Sequence, residues 1–165
     1  MQSERRYFED IEVGEEFTTA TRTVTESDVL AYAGLSGDFE ELHVSEEFAK
    51  GTIFGQRVAH GLLGLVLLDG LKTRTSLVTS VKTIASLGWT WDFPKPLKFG
   101  DTIEGRFVIA NKRRTSKGDR GILYIQAELR NQHGEILQKG ENRMMVACRT
   151  MGEPGPAGQR KASDG

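Results

Sequence analysis

A carboxylate, an imidazole and a glycine fall together within residues 38–61 of this 165-residue chain. The stretch reads Gly37-Asp38-Phe39-Glu40-Glu41-Leu42-His43, then Phe54-Gly55-Gln56-Arg57-Val58-Ala59-His60-Gly61. Neutral imidazole near a carboxylate can take a proton from water, and the carboxylate stabilises the charge that develops. Gly61 opens an apolar segment that reads as a helix. Unpaired backbone N–H groups at such an opening, aligned with the helix dipole, favour developing negative charge. Glycine also lets a ligand approach the backbone closely. These are the parts needed to activate water against a polarised carbonyl. Each part also has a plain structural reading. Aspartate after glycine is an ordinary turn residue, Gly61 can be a packing glycine or a cap, and His60 reads as a satisfied core histidine rather than the base.

The elements that must position these residues are legible in outline. Tyr7 to Thr23 reads as extended, with a turn at Val13-Gly14-Glu15. Thr25 and Asp28 stand at capping-box spacing, and Val29, Tyr32 and Ala33 then share a helical face, with a stop expected between Gly34 and Gly37. Asp38 and His43 then fall in a loop, and Ser45 caps a short helix through Phe48. From Gly61 to about Lys72, leucine and valine surround the whole helical circumference, which predicts a helix buried on every side. Strands are expected over Val81–Phe93, Thr102–Asn111, Gly121–Asn131 and Ile136–Arg149, with a hairpin turn at Asn131-Gln132-His133-Gly134 and a longer loop at Arg113–Arg120. Helices followed by a run of strands predict an α+β fold, an antiparallel sheet curled around one central helix. Residues 1–150 form one domain in this reading, and residues 151–165, rich in Gly, Pro and polar side chains, form a disordered tail.

Composition narrows the functional classes. Twenty-two basic against 23 acidic residues leave a net charge of −1, with no general attraction to nucleic acid or an anionic membrane. Cys148 is the only cysteine, so an intrachain disulfide and a cysteine metal cluster are excluded. The first residues lack the apolar run of a secretory signal, and the apolar stretch Leu62–Leu71 is too short and too interrupted to span a bilayer. A cytoplasmic protein is expected.

Two long motifs carry a family resemblance. Ser36-Gly37-Asp38-Phe39-x-x-Leu42-His43-x-x-x-x-Phe48-Ala49 and Phe54-Gly55-x-x-Val58-Ala59-His60-Gly61 resemble the MaoC-like dehydratases, the family of (R)-specific enoyl-CoA hydratases. The opening Tyr7–Gly14 and the segment Pro96-Leu97-Lys98-Phe99-Gly100-Asp101-Thr102 are similar to that family as well, so the resemblance covers roughly residues 5–149. It implies the hot-dog fold and a homodimer or dimer of dimers. It also implies that Asp38 and His43 activate water, and that the Gly61 amide binds a thioester oxygen. The implied reaction is reversible hydration of trans-2-enoyl-CoA to (R)-3-hydroxyacyl-CoA. No metal and no separate cofactor is implied, because CoA belongs to the substrate and the thioester already acidifies the adjacent carbon.

The chain departs from that pattern where the family usually carries Asn-Pro between the Asp and the His. Glu40 and Glu41 stand here instead. Turned inward, either would raise the proton affinity of Asp38 and His43; turned outward, the dyad is undisturbed. Asp69, on the apolar helix, is a further site residue, the partner of a buried Lys or Arg, or a polar edge of the helix facing a dimer partner. Arg113, Arg114 and Lys117 lie in a basic loop that is either a solvated hairpin tip or a contact for the CoA phosphates. Trp89 and Trp91 share a strand face and read as core or dimer anchors. Two other functions fit the same fold: an acyl-CoA thioesterase using Asp69 or Glu40, and a non-catalytic acyl-CoA-binding domain motivated by Glu40-Glu41.

Overall fold

The computed structural model describes residues 5–149. The expected tail, 151–165, lies outside them. Helix α1 (Glu26–Ser36) starts where the capping signal places it. Thr25 Oγ1 accepts from the Asp28 amide at 3.3 Å, and Asp28 Oδ2 accepts from the Thr25 amide at 2.9 Å. The helix stops at Gly37, whose φ of 80° is the left-handed conformation that glycine adopts without strain. Asp38 is thereby delivered at the first residue past the stop.

The connection to the long helix holds two short helices, α2 (Glu41–Val44) and α3 (Glu46–Lys50). Ser45 caps α3 as expected, accepting from the Phe48 amide at 3.3 Å. Helix α2 corrects the loop expected around His43. Asp38 Oδ1 accepts from the Glu40 amide at 3.2 Å, which turns the chain into a single helical turn whose third residue is His43.

Helix α4 (Gly61–Lys72) has the predicted bounds, and α5 (Ser76–Thr79) follows it. The sheet runs β1-β4-β5-β6-β3, antiparallel throughout: β1 (Glu16–Thr18), β3 (Thr83–Asp92), β4 (Thr102–Arg114), β5 (Arg120–Arg130) and β6 (Ile136–Ala147). A two-residue strand, β2 (Arg22–Thr23), pairs with the start of β4. The α+β expectation holds. β4 extends to Arg114, so the basic loop is a tight tip rather than a long connection. Phe8–Asp10 forms a 3₁₀ turn where extended chain was expected.

The core lies between the concave face of the sheet and α4. Leu63, Leu67, Leu68 and Leu71 pack onto inward residues such as Phe107, Ile125 and Met144. Burying such side chains is worth roughly 1.5–3 kcal/mol each. The expectation of burial on all sides is corrected for α4. Leu62 and Val66 are 56% and 55% exposed, because the sheet of one chain wraps only one side of the helix. No helix among the described residues is long and apolar enough to cross a membrane.

A charged cluster ties the N-terminal segment to the sheet. The Arg6 guanidinium grips both oxygens of Glu15 at 2.8 and 2.5 Å, and Arg149 pairs with Asp10 at 2.7 Å. The Arg6 hydrogen bond holds the Glu15 carboxyl below its ordinary range. Burial pushes Asp10 the other way, but the Tyr7 amide and Arg149 outweigh it and lower its pKa. Depressed carboxyl pKa values contribute stability that is present above the unfolded range of about 4 and is lost as pH falls through the folded values. The urea midpoint is therefore expected to drop on acidification below about pH 4.5, with a shallower slope for Glu15→Gln. Parallel curves for the two proteins would contradict this.

Candidate active site

A cavity of about 530 Å³ opens beside the start of α4. Asp38, His43, His60 and Gly61 all line it, with apolar walls that include Phe54 and Phe93. The structure thus brings together the three residues expected to act.

His43 lies buried on α2, with Nδ1 2.7 Å from the carbonyl oxygen of Val58. A carbonyl only accepts, so the proton sits on Nδ1 and Nε2 keeps a bare lone pair. Val58 is itself fixed. It bridges to Lys98, and the next amide, that of Ala59, donates to Leu97 O at 2.8 Å. A carboxylate oxygen of Asp38 and a ring nitrogen of each of His43 and His60 lie within 4.8 Å of one another, a span that one water can bridge.

His60 is closer to the chemistry than the core reading of it allowed. Its ring stacks on His43 with centroids 3.8 Å apart and planes 32° apart, and the Tyr32 ring lies 4.8 Å from it, tilted by 50°. Its Nε2 donates to the main-chain carbonyl of Asp38 at 3.0 Å and lies 4.0 Å from Asp38 Oδ2. Its Nδ1 is buried with no hydrogen-bond partner, an arrangement that costs about 1–3 kcal/mol. The spacing of Asp38, His43 and His60 could suit a metal ion. His60 Nε2 would first have to release Asp38, leaving its Nδ1–H without an acceptor.

Gly61 is the first residue of α4, so its N–H has no intrahelical acceptor. A Cβ at this position would meet the Phe93 ring at 3.0 Å. Its carbonyl accepts from Gln138 Nε2 at 2.9 Å, while Gln138 Oε1 accepts from Trp91 Nε1 at 3.0 Å. Gln138 is 1% exposed and pins the opening of the helix to β6 and β3. The sequence reading missed it. The available signal was phase: Gln138 alternates with Asn142, Met144 and Val146, which all point into the core.

The other candidates are placed elsewhere. Glu40 and Glu41 are exposed and do not line the cavity, which matches the outward reading. Only the Glu40 amide touches the site, through Asp38 Oδ1. Asp69 is half exposed and pairs with Lys72 at 2.6 Å. Buried Lys72 also donates to Asn142 Oδ1 at 3.1 Å and lies over the Trp89 ring at 4.7 Å, so Asp69 is the partner of a buried lysine and not a cavity residue. Trp89 and Trp91 meet edge to face at 5.4 Å and pack against the core.

The basic tip sits at the other end of the sheet. Arg114 pairs in register with Gly121, eight residues along β5 from Leu129, which faces Gln138 at the cavity; that separation is roughly 26 Å at ~3.3 Å per residue. Arg113 donates to Tyr124 at 2.8 Å, Arg114 pairs with Glu9, and Lys117 stands in the turn. Within one chain these residues do not reach the cavity.

Comparison with known proteins places the chain in a family. Residues 9–128 match the MaoC like domain family, and the chain belongs to that family. It is 38% identical over 104 residues to the (R)-specific enoyl-CoA hydratase of Rhodospirillum rubrum, covering 62% of this chain and 69% of that protein. It is 38% identical over 117 residues to Protein MaoC of Klebsiella aerogenes, covering 70% of this chain but only 33% of that longer protein. A solved structure from Archaeoglobus fulgius, described as a monoamine oxidase regulatory protein, is similar at 32% identity with a TM-score of 0.84, over 91% of this chain and 99% of that one. The architecture is the hot-dog fold.

The Gln138 clamp is testable. Gln138→Leu leaves the Trp91 N–H unpaired and removes the second donor to the Gly61 carbonyl, which keeps its bond within α4, and is expected to cost about 1–3 kcal/mol in urea unfolding. An unchanged midpoint would show that the clamp holds nothing.

Proposed function

We propose that this protein is a hydro-lyase that reversibly adds water to a trans-2-enoyl-CoA, giving an (R)-3-hydroxyacyl-CoA. The observation that carries the reading is the bare Nε2 of His43 in the same cavity as the Asp38 carboxylate and the Gly61 amide. In this reading a water molecule is held between Asp38 and His43. His43 Nε2 takes its proton as the water oxygen bonds to C3 of the enoyl group. The π electrons move toward the thioester oxygen, where the Gly61 N–H and the α4 dipole stabilise the enolate. The proton then returns to C2, so water is added in full and the site is restored. The thioester supplies the electron sink, so the step needs no metal and no redox cofactor.

The relative named (R)-specific enoyl-CoA hydratase supports the substrate class and the stereochemistry. The outward placement of Glu40 and Glu41 supports an undisturbed dyad. Thioester hydrolysis would draw on Asp69 or Glu40, and neither side chain lines the cavity. A homodimer belongs to the same proposal. Exposed Leu62 and Val66 on α4, with exposed Ile84 and Leu87 on the edge strand β3, offer a second copy an apolar surface. Sedimentation of a pure monomer at micromolar concentration would contradict that part.

Loss of conjugated absorbance from a panel of enoyl-CoA esters tests the activity. Asp38→Asn and His43→Ala are each expected to lower kcat by roughly 10²–10⁴-fold with the fold intact by circular dichroism. Wild-type-like turnover in either variant would overturn the assignment of roles. Thiol release from saturated acyl-CoA, without hydration, would replace this reaction with hydrolysis.

A further inference from the structure

The two stacked histidines carry their protons on opposite nitrogens. Both acceptors, Val58 O and Asp38 O, are carbonyls, so His43 is protonated on Nδ1 and His60 on Nε2. The lone pairs left over differ in access. His60 Nδ1 is sealed from solvent, whereas His43 Nε2 is not among the sealed, unpartnered atoms of the described residues. Of the two imidazoles, only that of His43 offers an accessible lone pair.

His60 also occupies an unusual place. It is the N-cap of α4, where Ser, Thr, Asp or Asn would ordinarily turn a side-chain oxygen onto the amides of the first turn. His60 makes no such bond. Its imidazole reaches back to Asp38 instead, 22 residues earlier in the chain, while its carbonyl accepts from the Leu63 amide at 3.1 Å and no side chain caps the amide of Gly61. Asp38 has two other anchors, since Ser36 Oγ accepts from its amide at 3.2 Å and its Oδ1 accepts from the Glu40 amide at 3.2 Å, and its side chain is about half exposed.

We infer that His60 is a positioning residue. Its Nε2–H holds the Asp38 peptide so that the carboxylate faces His43, and its ring fixes the plane of the His43 imidazole. One side chain thereby sets the acid, the base and the amide of the adjacent Gly61 in one frame. This inference rests on the hydratase reading for its kinetic consequence, though its structural content does not.

Three measurements test it together. In protein labelled with ¹⁵N-histidine, long-range proton–nitrogen spectra should show the Nδ1–H form for His43 and the Nε2–H form for His60. The reverse assignment for His60 would overturn the inference without reference to turnover. His60→Phe keeps a ring and removes the donor, while His60→Gln returns an N–H near the Nε2 position. The Phe variant should lose roughly 10–100-fold in kcat with KM changed less than about threefold, as expected for a misplaced group, and the Gln variant should recover most of that loss. Equal loss in both variants would show that ring packing alone matters.

In an Asp38→Asn background the further effect of His60→Phe on kcat should largely vanish, because neighbours acting through one another are not additive. Full additivity would overturn the inference. If wild-type protein hydrates no enoyl-CoA, the hydratase reading fails. The positioning claim is then judged by the Asp38 backbone shifts, which should move in His60→Phe and return in His60→Gln; unmoved shifts would overturn it.

Discussion

The hydrogen bond from His43 Nδ1 to the Val58 carbonyl decides what this site can do. It is short, at 2.7 Å, and its acceptor cannot donate, so the imidazole has one tautomer available. Were Val58 free to turn, the ring could present either nitrogen and the base would be undefined. Val58 is held by the bridge to Lys98 and by the Ala59–Leu97 hydrogen bond beside it. The base role proposed for His43 therefore rests on a segment that precedes β4 by only a few residues.

The electrophilic side of the site depends on a second long-range tie. An amide at a helix start is useful only if the helix cannot slide, and α4 is otherwise held by leucine packing that tolerates small shifts. Gln138 removes that freedom by joining the Gly61 carbonyl to Trp91. Gly64 makes the contact possible, since a Cβ there would fall 2.4 Å from the Gln138 amide. The glycines at the head of α4 thus have different uses: Gly61 leaves room beside Phe93 in the cavity, and Gly64 lets a buried polar side chain cross the helix. Such a buried amide is stabilising only because both of its ends are satisfied.

Much of this was legible in the sequence because it is local. The Thr25–Asp28 box, the Ser45 cap and the turn at Asn131 are each written within about four residues, the bounds of α4 within one apolar run, and each formed as read. Asp38, His43 and Gly61 converge as their motifs imply. What was not legible depends on partners far along the chain. His60 looked like a core histidine because nothing nearby shows that its donor reaches back past α2 and α3. Gln138 drew no reading within its strand because its partners, Gly61 and Trp91, lie 77 and 47 residues away. Leu62 and Val66 looked buried because an all-round apolar helix does not reveal that a single sheet covers only one side of it. Glu40 and Glu41 broke the family pattern in sequence, yet they leave the dyad alone because the Glu40 amide, not its carboxylate, is what Asp38 uses.

The central claim is spatial: a thioester oxygen meets the Gly61 amide while its C3 lies over the Asp38–His43 pair. The crystal structure of the Asp38→Asn variant with a bound enoyl-CoA measures this directly. The account predicts the thioester oxygen within hydrogen-bonding distance of Gly61 N, about 2.7–3.1 Å, with C3 facing His43 Nε2 and an ordered water between them. A thioester seated away from the start of α4, or an enoyl group turned from His43, would contradict it.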